Sequence, residues 1–201
     1  MRLVLASNNA NKLVEMQALF APLGFEMVSQ ASLGIDEAEE PHPSFVENAL
    51  AKARHAAQFS GSAAIADDSG LCVDVLGGAP GVLSARYATL FGRAKSDADN
   101  NAALLEQLAG KADRRARVVS ALVAVRRADD AEPRIAMGRW EGRVLHEPRG
   151  GGGFGYDPLL FIEALGRSVA QLDPAAKNAH SHRAIAARQM LALMREVWRS
   201  G

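Results

Sequence analysis

Residues 64–88 read AIADDSGLCVDVLGGAPGVLSARYA. Ala64, Ile65 and Ala66 lead into two adjacent carboxylates, Asp67 and Asp68, and then into Ser69 and Gly70. A second apolar run carries Asp74, and Gly77, Gly78, Pro80 and Gly81 follow it. A short apolar run ending in acid, hydroxyl and glycine predicts a buried strand that delivers polar groups to its exposed tip. In open α/β sheets, ligands bind outside such strand ends. Two adjacent carboxylates cannot both be buried without a cation or a proton between them. Mg²⁺ satisfies that need and usually arrives with substrate phosphates. A plain turn built from Asp, Ser and Gly fits the same letters, so this stretch alone leaves both readings open.

The rest of the chain narrows the classes. Its 201 residues suit one large domain or two small lobes, with enough apolar content (48%) for a sizeable core. Lys plus Arg number 23 and so do Asp plus Glu, giving zero net charge. A general nucleic-acid binder would carry a basic excess, so that class is set aside, while a local basic pocket for phosphates is still allowed. The single cysteine, Cys72, lies in an apolar run and reads as a small core residue. With one cysteine no internal disulfide forms, which suits a reducing cytosol, so a cytoplasmic protein is expected. No run approaches the length of a membrane span, and the apolar stretch in MRLVLASNN is too short for a signal peptide.

Around that stretch, Arg2 to Ala6 reads as a strand, and Ser7, Asn8, Asn9, Ala10, Asn11 and Lys12 follow it. Leu13, Met16, Leu19 and Phe20 then fall at helical spacing, closed by Pro22 and Gly24. A lysine in a first helical turn opposes the helix dipole unless an anion sits on the free backbone N–H groups beside it. Phe25 to Ser29 predicts a second strand, and a polar loop with Glu37, Glu39 and Glu40 follows. Ser44 and Glu47 form a capping box before a helix from about Phe45 to Phe59, which ends at Gly61 and carries Lys52. Ser96 caps another helix. Arg117 to Arg127 and Arg134 to Leu145 pair as a long hairpin through the turn Ala128 to Pro133.

Pro148 to Pro158, PRGGGGFGYDP, predicts a loop whose glycines let backbone approach a ligand and whose Phe154 and Tyr156 offer a stacking surface. Asp173 caps a short helix that carries Lys177. His180, Ser181, His182 and Arg183 open the last helix, whose buried face is Ile185, Met190, Leu193, Met194 and Val197. The basic pair His182–Arg183 at a helix start again welcomes an anion or a carbonyl oxygen.

A phosphate-binding loop, acidic metal ligands, a glycine–aromatic loop and scattered cations suit a nucleotide polyphosphate with Mg²⁺. The order of SNNANK, FVENALAKA, ADDSGLCVDVLGGAPGVLSARYA, GGFGYDP and SHR resembles the inosine triphosphate pyrophosphatase family over essentially the whole chain. The resemblance implies one α/β domain over 1–201: an elongated mixed β-sheet flanked by helices, with two lobes and a central cleft. It also implies a homodimer. The activity it implies is a Mg²⁺-dependent cut between the α and β phosphates of non-standard purine nucleotides. Carried over residue by residue, Ser7, Asn8, Asn9, Ala10, Asn11 and Lys12 would hold phosphates, with Lys52 and Lys177 near them. Asp68 would be proton acceptor and metal ligand, and Ser69 would touch substrate. Glu39, rather than Glu40, is taken as the second metal ligand from the alignment of the motif. Phe154, Gly155, Tyr156, Asp157, His182 and Arg183 would form the base pocket. A phosphohydrolase with a covalent aspartyl-phosphate and a nucleotide-binding regulatory module are the alternatives.

Overall fold

A computed structural model describes residues 2–198, except the side chain of Val197. Among the described residues, seven strands form one sheet in the order β2-β1-β3-β4-β5-β6-β7. They are β1 (Arg2–Leu5), β2 (Glu26–Ser29), β3 (Ala63–Val73), β4 (Arg115–Val125), β5 (Arg134–Val144), β6 (Leu160–Ile162) and β7 (Arg167–Ser168). β1 runs parallel to β2 and β3, while β5, β6 and β7 are antiparallel neighbours, so the sheet is mixed as expected. The α-helices among the described residues are α1 (Ala10–Phe20), α2 (Phe45–Ser60), α3 (Asp97–Gln107), α4 (Pro174–His180) and α5 (His182–Val197). Among the described residues, no helix is long and apolar enough to cross a membrane.

The helix boundaries follow the local signals. Ser44 accepts from the Glu47 N–H and its hydroxyl donates to the Glu47 carboxylate, which is the serine half of the expected box. Gly61 takes the left-handed conformation that ends α2. Ser96 and Asp173 cap α3 and α4 through side-chain oxygens.

The chain divides into two compact units. The first holds the residues up to Asp68, Ser120–Gly138 and those from His182 onward. Its core has Leu3, Leu5, Met16, Ile65, Leu122 and Met190 in one cluster, and Val4, Ala53, Ala64 and Val123 in another. The second holds Ser69–Val119 and Arg139–Ser181, around Leu71, Leu104, Trp140, Tyr156 and Leu160. Cys72 is buried there, as its apolar neighbours predict.

One expectation fails at the decisive stretch. β3 does not stop at Ala66; it runs on through Asp67, Asp68, Ser69 and Gly70 to Val73. Asp67 is 1% exposed and Asp68 6%, so neither stands at an open strand tip. Their burial is possible because cations from other elements meet both carboxylates, as the site shows next.

Candidate functional site

In the first unit, Asp67 and Asp68 collect cations from three helices and a hydroxyl from β4. Asp67 Oδ2 lies 3.0 Å from Lys12 Nζ on α1 and 3.1 Å from both Nε and Nη2 of Arg183 on α5. The Ser120 hydroxyl of β4 donates to Asp67 Oδ1 at 2.6 Å. Arg183 Nη1 also pairs with the Glu15 carboxylate of α1, and its guanidinium is 2% exposed. Burial pushes the Asp67 carboxyl up, but Arg183 and Lys12 outweigh it and hold the group well below the usual carboxylate range.

Asp68 has a different company. Lys52 Nζ, on α2, is 2.7 Å from Asp68 Oδ1 and 2.7 Å from Glu40 Oε1, and donates to the Asp67 carbonyl at 3.2 Å. Burial pushes the Asp68 carboxyl up against the pull of Lys52, and Glu40 adds to the rise. Lys52 itself is raised: burial works against its charge, and Asp68 and Glu40 more than restore it. Lys12 shows the opposite balance, since burial lowers it further than Asp67 lifts it and Lys52 and Arg183 push the same way.

Asp68 Oδ2 is buried and, among the described residues, has no hydrogen-bond partner. An unmet anionic oxygen beside a second carboxylate, Glu40, is a donor set that suits a hard cation. Among the described residues no three His, Cys, Asp or Glu side chains converge. A metal held here would therefore draw its remaining ligands from water and phosphate oxygens, which is the habit of Mg²⁺. Glu40 is half-buried in this network; Glu39, read from the sequence as the ligand, is exposed.

The loop before α1 also departs from expectation. Asn9 caps the helix, accepting from the N–H groups of Asn11 at 2.9 Å and Lys12 at 3.2 Å. Ser7 accepts from the Asn9 N–H, and Asn8 accepts from Gln30. Those two helical N–H groups are therefore taken by a side chain. The charge of Lys12 answers Asp67.

In the second unit, Asp157 Oδ2 accepts from the Phe154 N–H at 3.0 Å and from Lys177 Nζ at 2.8 Å. Lys177 Nζ also sits 4.4 Å from the centroid of the Phe154 ring, a cation–π contact. Lys177 thus belongs with the glycine–aromatic loop. Gly153 has φ +73°, and a Cβ there would come within 2.0 Å of Asp157 Oδ2, so the tight turn needs glycine for both reasons. Its close approach is to Asp157 of its own loop. Asp97 accepts from the Gly155 N–H and Asn101 donates to the Gly155 carbonyl, tying the loop to α3.

Tyr156, read as a second stacking ring, is instead a core residue whose hydroxyl donates to the Ser84 carbonyl at 2.9 Å. Phe154 is half-buried, as are Gly155, Asp157 and Ser69, while His182 is buried at the start of α5. Sequence reasoning passed over Glu15, Ser120, Asp97 and Asn101. Glu15 alone carried a signal: it lies three residues after Lys12, on the same helical face.

The mixed sheet and its helices define an α/β protein. The chain belongs to the Ham1 family, whose model matches residues 3–193. It is 66% identical to a dITP/XTP pyrophosphatase of Methylibium petroleiphilum over 206 residues, covering 98% of this chain and 99% of that one. It is 64% identical to a dITP/XTP pyrophosphatase of Leptothrix cholodnii, again covering 98% and 99%. The solved structure of a HAM1 protein from Coxiella burnetii superposes with a TM-score of 0.89 at 42% identity, covering 98% of this chain and 100% of that one. The resemblance read from the order of motifs therefore holds.

Proposed function

We propose that the chain is a Mg²⁺-dependent nucleoside triphosphate pyrophosphatase that hydrolyses dITP, XTP and their ribo or deoxy counterparts to the monophosphate and pyrophosphate. Its role would be to keep such nucleotides out of DNA and RNA. The observation that carries the reading is Asp68: a buried carboxylate with one oxygen held by Lys52 and the other without a partner among the described residues. The names of the close relatives support the substrate class.

Asp68 and Glu40 would hold Mg²⁺, which supplies positive charge to the phosphate oxygens and the leaving pyrophosphate. Asp68 takes the proton of the attacking water, and Lys52 keeps the carboxylate aimed while it does so. Lys12 and the polar residues Ser7 to Asn11 face the phosphates, and Ser69 touches the substrate. Phe154 stacks on the purine, with Asp157 and Lys177 fixing that ring. His182 and Arg183 offer donors to the 6-carbonyl of hypoxanthine and xanthine, which the 6-amino group of adenine cannot accept. A guanidinium is a rigid fork, so its bonds to Asp67 and Glu15 fix its plane. The homodimer implied by the resemblance is part of the proposal, and sedimentation would check it.

Asp67 argues against a covalent aspartyl-phosphate on that residue. Its carboxylate already accepts from Lys12, Arg183 and Ser120, which lowers its nucleophilicity. The deciding assay follows the products of dITP with and without Mg²⁺. Pyrophosphate formed only with Mg²⁺ supports the proposal; inorganic phosphate, or binding without turnover, overturns it.

A further inference from the structure

Gly138 lies inside β5 and is buried. A Cβ placed there would stand 1.9 Å from the carbonyl oxygen of His182 and 2.7 Å from the backbone N of Ala186. Both obstacles are main chain of the first turns of α5, so no side-chain rotation relieves them. Gly138 is not in the left-handed region; what it supplies is space. With no side chain on the strand, the start of α5 lies directly on β5. His182 and Arg183 are the first residues of that helix, and Arg183 reaches Asp67 and Glu15 from it. Further along, Met190 and Met194 are anchored in the core with Leu3, Met16 and Phe20. A wedge at Gly138 therefore moves the start of α5 against a fixed far half.

We propose that Gly138 is a positioning residue for nucleotide selection, acting through the placement of His182 and Arg183. This rests on the reading that those two side chains face the purine 6-position. Gly142 supplies a matched control. It stands in the same strand, and its Cβ would meet the Phe161 carbonyl oxygen at 2.4 Å, so Gly142→Ala strains β6 instead of α5.

The experiment measures kcat/KM for dITP and for dATP, with Mg²⁺, and thermal midpoints, for the parent, Gly138→Ala and Gly142→Ala. Ala186→Ser is added as a milder wedge on the same turn of α5, since Ala186 is fully buried in the cluster that holds Leu122 of β4 and Ala136 of β5, and one extra atom overpacks it modestly. Both glycine variants should lower the midpoint. Gly138→Ala should also shrink the dITP-to-dATP ratio by roughly tenfold, the size of one hydrogen bond to a charged group. Ala186→Ser should shift the ratio in the same direction and carries the test if Gly138→Ala gives no folded protein. Gly142→Ala should keep the parental ratio. A parent that prefers dITP, with the same preference retained in Ala186→Ser and in any folded Gly138→Ala, overturns this proposal alone. A parent with no preference for dITP overturns the functional reading, and the proposal with it.

Discussion

Asp67 and Asp68 are consecutive in β3, yet their carboxylates enter separate ion networks, Asp67 with Lys12 and Arg183, Asp68 with Lys52 and its partner Glu40. Successive side chains of a strand point to opposite faces, which is how one dipeptide serves two sites. Asp67 is saturated with donors and ties α1, β4 and α5 together. Asp68 keeps one oxygen without a partner among the described residues. Under the proposed function, that division leaves structure to the first acid and chemistry to the second.

Asp68→Asn tests the chemical half. The amide keeps the shape and can still meet Lys52, so the fold should survive. Turnover of dITP should fall by about 10²-fold or more, the range of a lost general base. Circular dichroism and steady-state kinetics on the variant check both parts. Near-parental turnover would remove Asp68 from the reaction.

Acid stability should report on Asp130, at the turn between β4 and β5. Burial pushes its carboxyl up, but the N–H groups of Arg126 and Glu132, with the Arg126 guanidinium, outweigh that and bring it down to about 2. A depressed carboxyl binds fewer protons folded than unfolded, so its contribution is complete above the ordinary carboxylate value of about 4 and is lost as pH falls toward about 2. The amount at stake is about 2 kcal/mol. Urea unfolding of the parent should therefore weaken through that window. Asp130→Ala should be less stable at neutral pH and show a shallower acid slope; parallel slopes would assign the acid loss to other carboxylates.

Two lysines read together from the sequence should behave differently. Lys12 lies beside Asp67 in the first unit, whereas Lys177 rests on the Phe154 ring and Asp157 in the second. Lys12→Ala should weaken binding of a triphosphate more than of the matching monophosphate. Lys177→Ala should weaken both alike, because the ring it supports is proposed to meet the base. Calorimetric titration with dITP and dIMP separates the cases, and a triphosphate-selective loss in Lys177→Ala would return that lysine to the phosphates.

Most helices and strands were legible because their signals are local. Ser44, Ser96, Asp173 and Gly61 mark ends that a few neighbouring residues decide. The extent of β3 was not legible. An acidic dipeptide looks like a strand end until Lys12, Ser120 and Arg183 are known to surround it, and those partners are far away in sequence. Tyr156 and Phe154 share one loop and one chemistry, and only tertiary packing sends the first into the core. Gly138 carries no local signal of its own, because the helix that needs its space begins more than forty residues later.

Glu39 and Glu40 pose the same problem at its sharpest. They are adjacent acids in a loop without periodicity, and nothing in their own letters separates them. The separation comes from Lys52, whose ammonium joins Glu40 Oε1 and Asp68 Oδ1 at 2.7 Å each, leaving Glu39 exposed. A metal bound by Asp68 would find Glu40 in the same network. Glu40→Gln keeps size and polarity but removes the charge. It should raise the Mg²⁺ concentration needed for half-maximal turnover of dITP by roughly tenfold or more, since even changes to groups outside the ligand shell weaken metal binding that far. Glu39→Gln should leave the requirement within a factor of about two, as expected for a solvated surface charge. The titration also distinguishes a metal ligand from a simple partner of Lys52. If Glu40 only held Lys52, its loss would lower kcat at saturating Mg²⁺ and leave the half-maximal concentration where it was. A raised requirement in Glu39→Gln with none in Glu40→Gln would restore the assignment first read from the motif.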